Sequence, residues 1–184
     1  MTRIISGIAK GRTLKVPEKV TRPTSDRIRE AVFSSLEHRL GTWHGRCVYD
    51  LFAGSGAFAL EAMSRGAAHA VAVERDKRAA EAIRANAAST GLALEVMAVD
   101  VAQFVARAPA PPPDLVFADP PYELAADALA AILGQLLRQL PGREVLLVVE
   151  RPTRDKASPL PPGLQDIDVR VIGDTTITYA RWYG

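Results

Sequence analysis

The 184-residue chain has one cysteine, Cys47, so no internal disulfide can staple it. A reducing cytoplasm is the expected setting. No apolar run approaches the roughly 20 residues that span a bilayer, so no membrane helix is expected. The opening stretch MTRIISGIAKGR lacks the apolar centre of a signal peptide, so no export is expected. His38, His44 and His69 show no metal-ligand spacing, and no metal site is expected. No internal repeat is present.

What is there suits one folded domain: 48% of residues are apolar, and the length allows a proper core. Net charge is only +2, but it is unevenly spread. Residues 1–40 carry nine Lys or Arg against four Asp or Glu, a net +5; the rest carry fourteen against seventeen, a net −3. A basic segment on a mildly acidic body suggests a polyanion docked at the N-terminal end, against the plainer reading of a solvated basic hairpin.

The N-terminal end reads as short strands over residues 2–8 and 12–16, then a loop at residues 21–24. Thr24 or Ser25 can cap a helix running to about Leu40, with Ile28, Ala31, Val32, Leu36 and Leu40 on one face. An alternation follows. Strands are predicted at residues 47–52, 68–74, 92–99, 114–118 and 144–150. Helices are predicted at 57–65, 76–89, 101–107 and 124–140. Near-continuously apolar strands alternating with helices imply a parallel sheet covered on both faces. Two last runs, 167–172 and 175–183, joined by Gly173–Asp174, read as a hairpin. The expectation is an α/β Rossmann-like fold with a seven-stranded, mostly parallel sheet ending in an antiparallel hairpin. An N-terminal extension, residues 1–40, would pack on a core of residues 41–184.

Asp50–Leu51–Phe52–Ala53–Gly54–Ser55–Gly56 joins the first core strand to its helix. Gly54 and Gly56 permit a tight turn and close approach of a ligand. The turn loosely fits a dinucleotide fingerprint, which alone is a weak signal. Acids sharpen it. Glu74 ends the next strand and can accept ribose hydroxyls; Asp100 follows the third and can accept from an adenine amine. Asp119 follows the fourth. Four acids at four successive strand ends mark the edge where open α/β sheets bind ligands. The candidate cofactor set is Asp50, Phe52, Ala53, Gly54, Ser55, Gly56, Glu74, Arg75, Asp100, Val101 and Asp119. A pyrophosphate would be opposed by Asp50, whereas the sulfonium and ammonium of S-adenosylmethionine would be welcomed. NAD sites also contain acids, so charge favours the methyl donor and leaves the dinucleotide open.

Asp119–Pro120–Pro121–Tyr122 is more than a strand-ending turn needs. An exocyclic amine conjugated to a base ring is a poor nucleophile. Two acceptors near its hydrogens, the Asp119 carboxylate and the Pro120 carbonyl, favour a pyramidal nitrogen whose lone pair can attack. Pro120 and Pro121 stiffen the backbone that holds them. Tyr122 offers a ring on which a base displaced from its stack can rest. Cys47, at the far end of its strand, reads as packing rather than as a nucleophile.

These blocks resemble the class I S-adenosylmethionine-dependent methyltransferases: DLFAGSG (50–56), VERD (73–76), VD (99–100) and DPPY (119–122). RIISGIAKGRTLKVP (3–17), TRPTSDRIREAVFSSL (21–36), LFAGSGAFALEAMSRGA (51–67), FADPPY (117–122) and GDTTITYAR (173–181) are similar to the RsmD family. That resemblance runs along nearly the whole chain. It implies methylation of the N2 amine of one guanine in bacterial 16S ribosomal RNA, on the free RNA or an assembling small subunit, by a cytoplasmic monomer. Asp119, Pro120, Pro121 and Tyr122 would be its catalytic residues. Two departures stand out. Phe58 replaces a smaller aliphatic residue and is expected to affect helix packing without touching the chemistry. Residues 151–163 are proline-rich, so the helix expected before the last hairpin is reduced.

Arg3, Lys10, Arg12, Lys15, Arg22 and Arg27 are the candidate RNA-phosphate contacts, and Arg29 is read the same way. Other readings keep part of this picture. An adenine-N6 methyltransferase also uses DPPY, but no separate target-recognition domain is evident. A protein glutamine methyltransferase usually carries Asn in place of Asp119. An RNA-binding module without catalysis would be expected to break DPPY. An NAD-dependent oxidoreductase lacks a catalytic His or Tyr–Lys pair here.

Overall fold

A computed structural model describes residues 2–17, 25–107, 111–155 and 157–184. Strands β1 (Thr2–Arg3) and β2 (Thr13–Leu14) form a small antiparallel pair, and α1 spans Asp26–Leu40. Then come β3 (Cys47–Leu51), α2 (Ala57–Ser64), β4 (His69–Val73), α3 (Lys77–Thr90), β5 (Glu95–Met97) and α4 (Val101–Ala106). The chain finishes with β6 (Leu115–Ala118), α5 (Ala126–Arg138), β7 (Val145–Pro152), β8 (Gln165–Ile172) and β9 (Thr175–Trp182). The main sheet has seven strands in the order β5-β4-β3-β6-β7-β9-β8. β3 to β7 run parallel, and β9 is antiparallel to both its neighbours. The expected architecture is therefore present.

Period-two alternation explains the layers. Val48, Ala70, Leu115, Phe117 and Val148 point to one face, where Phe33 and Leu36 of α1 and Phe58 and Ala62 of α2 pack. Tyr49, Leu51, Val73, Val116, Leu147 and Val149 point to the other, against Phe104 of α4 and Leu129, Leu133, Leu136 and Leu137 of α5. β3 lies between β4 and β6, so the chain crosses from one half of the sheet to the other at its C-terminal edge. Crevices open at such a point.

Several boundaries differ from expectation. β1 and β2 are far shorter than 2–8 and 12–16. Polar side chains of α2 take the backbone instead: Glu61 accepts from Ile5 N (2.7 Å) and Ser6 N (3.0 Å), and Ser64 Oγ accepts from Ala9 N (3.0 Å). From α3, Asn86 both accepts from Lys15 N (2.8 Å) and donates to the Lys15 carbonyl (2.9 Å). β5, at the sheet edge, keeps only Glu95–Met97. β7 runs two residues past Glu150, because β9 pairs with it as far as Pro152↔Thr175. α5 spans Ala126–Arg138, two residues shorter at each end than the expected 124–140, with Asp127 in its first turn. Between Pro152 and Gln165 the described residues contain no helix, where a reduced one was expected. Ser25 caps α1 by accepting from Ile28 N. Thr24, the alternative cap, lies outside the described residues. Among the described residues no helix is long and apolar enough to cross a membrane.

Arg29 corrects a reading. It is fully buried, not a surface cation. One guanidinium nitrogen donates to the Arg3 carbonyl (2.6 Å) and to Asp26 (2.7 Å), which ties the start of α1 to β1. A phosphate cannot reach it there.

Candidate active site

The sheet's C-terminal edge opens into a cavity of about 940 Å³. Asp50, Phe52, Ala53, Gly54, Ser55, Glu74, Arg75, Asp100, Val101, Asp119, Pro120, Pro121 and Tyr122 all line it. Of the candidate cofactor set only Gly56 stays behind the wall. It is the N-cap of α2, with φ +76. A Cβ there would stand 2.8 Å from Ile83 Cγ2, so glycine is required by both conformation and space.

The first half of the crevice is built on backbone contacts. Glu74 Oε2 accepts from Gly54 N (3.0 Å), and Oε1 accepts from Asp76 N (2.8 Å). Glu74 therefore holds the glycine turn in place. Asp100 caps α4 by accepting from Ala102 N (2.8 Å), while the residue stays exposed. Asp50 is buried and accepts from Ala59 N in the first turn of α2 (3.1 Å). Burial pushes its carboxyl up to about 8; the Ala59 bond opposes this, and Asp119 and Glu74 add to the rise. Phe52, between Asp50 and the glycines, has φ +67. For a bulky side chain that conformation costs roughly 1–3 kcal/mol.

The second half is made of side chains at strand ends and turns. Asp119 and Pro120 follow β6 directly. Pro121 accepts from Leu124 N (3.0 Å), closing a tight turn that turns Tyr122 outward. Tyr122 is 49% exposed, and the Arg154 guanidinium lies over its ring at 5.4 Å. Glu150, Arg151, Thr153, Arg154, Asp174 and Thr175 complete this wall, with Ser25 and Ile28 of α1. Arg151 is largely buried and pairs with Asp155 at 2.6 Å. Glu150, Arg151, Thr153, Arg154, Asp174 and Thr175 were not selected from sequence. Glu150 carried the same signal as the other acids, a carboxylate at a strand end, and was passed over.

Phe58 also lines the cavity and packs on Phe117 (4.6 Å between centroids), two residues before Asp119. It lines the same cavity as DPPY, because the first turn of α2 faces the end of β6. Cys47 is buried at the opposite end of its strand and donates to the Pro111 carbonyl at 3.5 Å; burial raises its thiol to about 12. It is packing.

Lys10, Arg12, Lys15 and Arg27 are exposed and lie outside the cavity. Arg3 is exposed and pairs with Asp26 at 3.4 Å. Arg22 lies outside the described residues.

A family model described as Conserved hypothetical protein 95, the RsmD family, matches residues 2–181. The chain belongs to the RsmD family of methyltransferases. Among its relatives is the Bacillus subtilis protein named "Putative rRNA methyltransferase YlbH", 31% identical over 99% of this chain and 94% of that one. The Escherichia coli "Ribosomal RNA small subunit methyltransferase D" is 38% identical over 65% of this chain and 60% of its own length. Among solved structures, the Thermus thermophilus hypothetical protein TTHA0928 superimposes with a TM-score of 0.80 at 35% identity, covering 97% of this chain and 98% of that one. The RsmD resemblance read from the sequence is thus correct at the level of the family and its methyltransferase fold.

Proposed function

We propose that this RsmD-family protein transfers a methyl group from S-adenosylmethionine to the exocyclic N2 amine of a guanine in 16S ribosomal RNA. One observation carries the reading. DPPY stands at the end of β6 on the wall of an acid-lined cavity whose adjoining wall is the glycine turn. The names of the Bacillus and Escherichia relatives support ribosomal RNA as the substrate.

The residues present fit the donor. Gly54, at positive φ, lines the cavity and puts no Cβ between backbone and ligand. Glu74 would accept from the ribose hydroxyls through its remaining lone pairs, with Asp100 and Val101 beside the adenine. Asp50 gives the crevice a carboxyl that a cation would ionise. S-adenosylmethionine supplies a methyl group bonded to positively charged sulfur. The protein's part is to place the amine in line with that bond. Tyr122 takes the face of the flipped base, worth roughly 1–3 kcal/mol. Asp119 and the Pro120 carbonyl accept from the N2 hydrogens and turn the lone pair inward. Their acceptors are fixed before the base arrives, so little reorganisation accompanies attack. The surplus N2 proton leaves to water. Lys10, Arg12 and Lys15, with Arg3 and Arg27, contact phosphates outside the cavity.

The test is transfer of labelled methyl to naked 16S RNA and to assembled small subunits from a strain lacking the modification. Label on guanine N2 is expected. Label confined to adenine, DNA or protein overturns the reading.

A further inference from the structure

The parallel register of β6 and β7 pairs Phe117 with Val148 and Ala118 with Val149. The ladder ends there, and Asp119 and Glu150 are the next residues along the two segments. Phe117 and Val148 point to the α1–α2 face, and Ala118 and Val149 to the other. Glu150 lies opposite Ile177, whose side chain belongs to the α1–α2 face, and Asp119 and Glu150 both line the cavity. Ser25 and Ile28 of α1, which packs on that face, border the same space. One carboxylate just past β6 and one on the neighbouring β7 thus border the cavity that would take the base. Glutamate reaches one methylene further than aspartate.

Guanine presents two neighbouring donors on its Watson–Crick edge, the N2 amine and N1–H. Adenine presents an amine beside N1, an acceptor. An ionised carboxylate only accepts. Facing N1, it completes a hydrogen bond with guanine and opposes the lone pair of adenine. We propose that Glu150 accepts from guanine N1–H while Asp119 accepts from N2, and that Glu150 therefore selects guanine over bases lacking an N1 proton. This inference rests on the guanine-N2 reading above and assigns its specificity to a residue outside DPPY.

2-Aminopurine keeps the exocyclic amine at C2 but has an acceptor at N1. Once the methylated guanine has been mapped with the wild-type protein, small subunits are reconstituted with 16S RNA carrying 2-aminopurine or guanine there. Single-turnover transfer of labelled methyl is then measured. The wild-type protein is expected to methylate guanine at least about 100-fold faster than 2-aminopurine, since a site built around a hydrogen bond rejects the analogue lacking it. Glu150→Gln, whose amide can donate to the acceptor N1, is expected to gain activity on 2-aminopurine and narrow that preference by about 10-fold or more. A wild-type protein that methylates both bases equally overturns the proposal whatever the variant does. So does a folded, donor-binding Glu150→Gln that gains nothing on 2-aminopurine. A wild-type protein inactive on guanine itself overturns instead the function on which the proposal rests.

Discussion

The two halves of the crevice are built differently. In the half bounded by β3, β4 and β5, three carboxylates accept from backbone N–H groups: Asp50 from Ala59, Glu74 from Gly54 and Asp76, and Asp100 from Ala102. The acids there shape turns and cap helices, so that half is preformed by the main chain. In the half bounded by β6, β7 and β9, the wall is side chains at strand ends and turns, with Tyr122 half exposed under Arg154. The first half suits a ligand of constant shape. The second depends on the side chains it presents.

That division predicts separable losses. The largest is expected for Asp119→Ala. Removing one preorganised polar contact to the reacting group should lower the transfer rate by about 10²–10³-fold. Donor affinity, measured by calorimetry, should stay within about threefold. If donor binding falls as steeply as transfer, the two halves do not act separately. Gly56→Ala attacks the other half. Its Cβ would meet Ile83 at a backbone conformation that alanine resists, and destabilisation of about 1–3 kcal/mol is expected in urea unfolding. Weaker donor binding should follow, with base preference unchanged.

The preformed half was also the more legible in the sequence. Glycines at a strand-to-helix turn and acids at strand ends are local signals, and each residue so chosen lies at the turn or lines the cavity. DPPY was legible because two prolines after an apolar strand are hard to explain otherwise. The second half was read less well because it is assembled across the sheet. Arg154 reaches Tyr122 only because β7 lies beside β6, a pairing that no local pattern states. Arg29 shows the reverse error. Its charge and place at a helix start suggested a phosphate contact, but the Arg3 carbonyl and Asp26 bury it. Glu61, Ser64 and Asn86, which hold the N-terminal hairpin, looked like ordinary polar residues of two helices.

Asp50 sharpens the comparison through pH. Its folded-state carboxyl lies near 8, far above the ordinary 3.8. The native state therefore holds a proton that the unfolded chain releases, and this group's contribution to stability falls as pH rises from about 4 to 8. Asp50→Asn removes that penalty and keeps an acceptor for Ala59 N. Its gain in melting temperature should be larger at pH 8.5 than at pH 5. A cationic donor favours the ionised carboxyl, so wild-type donor affinity should rise between pH 6 and 8.5 with release of a proton. The Asn variant should bind more weakly with a flatter profile. A wild-type profile as flat as the variant's would remove Asp50 from donor recognition.

The smallest effect is expected furthest from both halves. Lys10 and Arg12 are exposed on the turn between β1 and β2, outside the cavity. If they contact phosphates, changing both to Glu should weaken RNA binding most at low salt. It should also flatten the dependence of log affinity on log salt by about 0.7–0.9 for each phosphate no longer neutralised. Such cations position the RNA without reading its sequence, so the ratio of guanine to 2-aminopurine transfer should not move. An unchanged salt slope would take the hairpin out of RNA binding. A changed base ratio would mean that hairpin and base wall are coupled, and the crevice could no longer be divided at β3 and β6 alone.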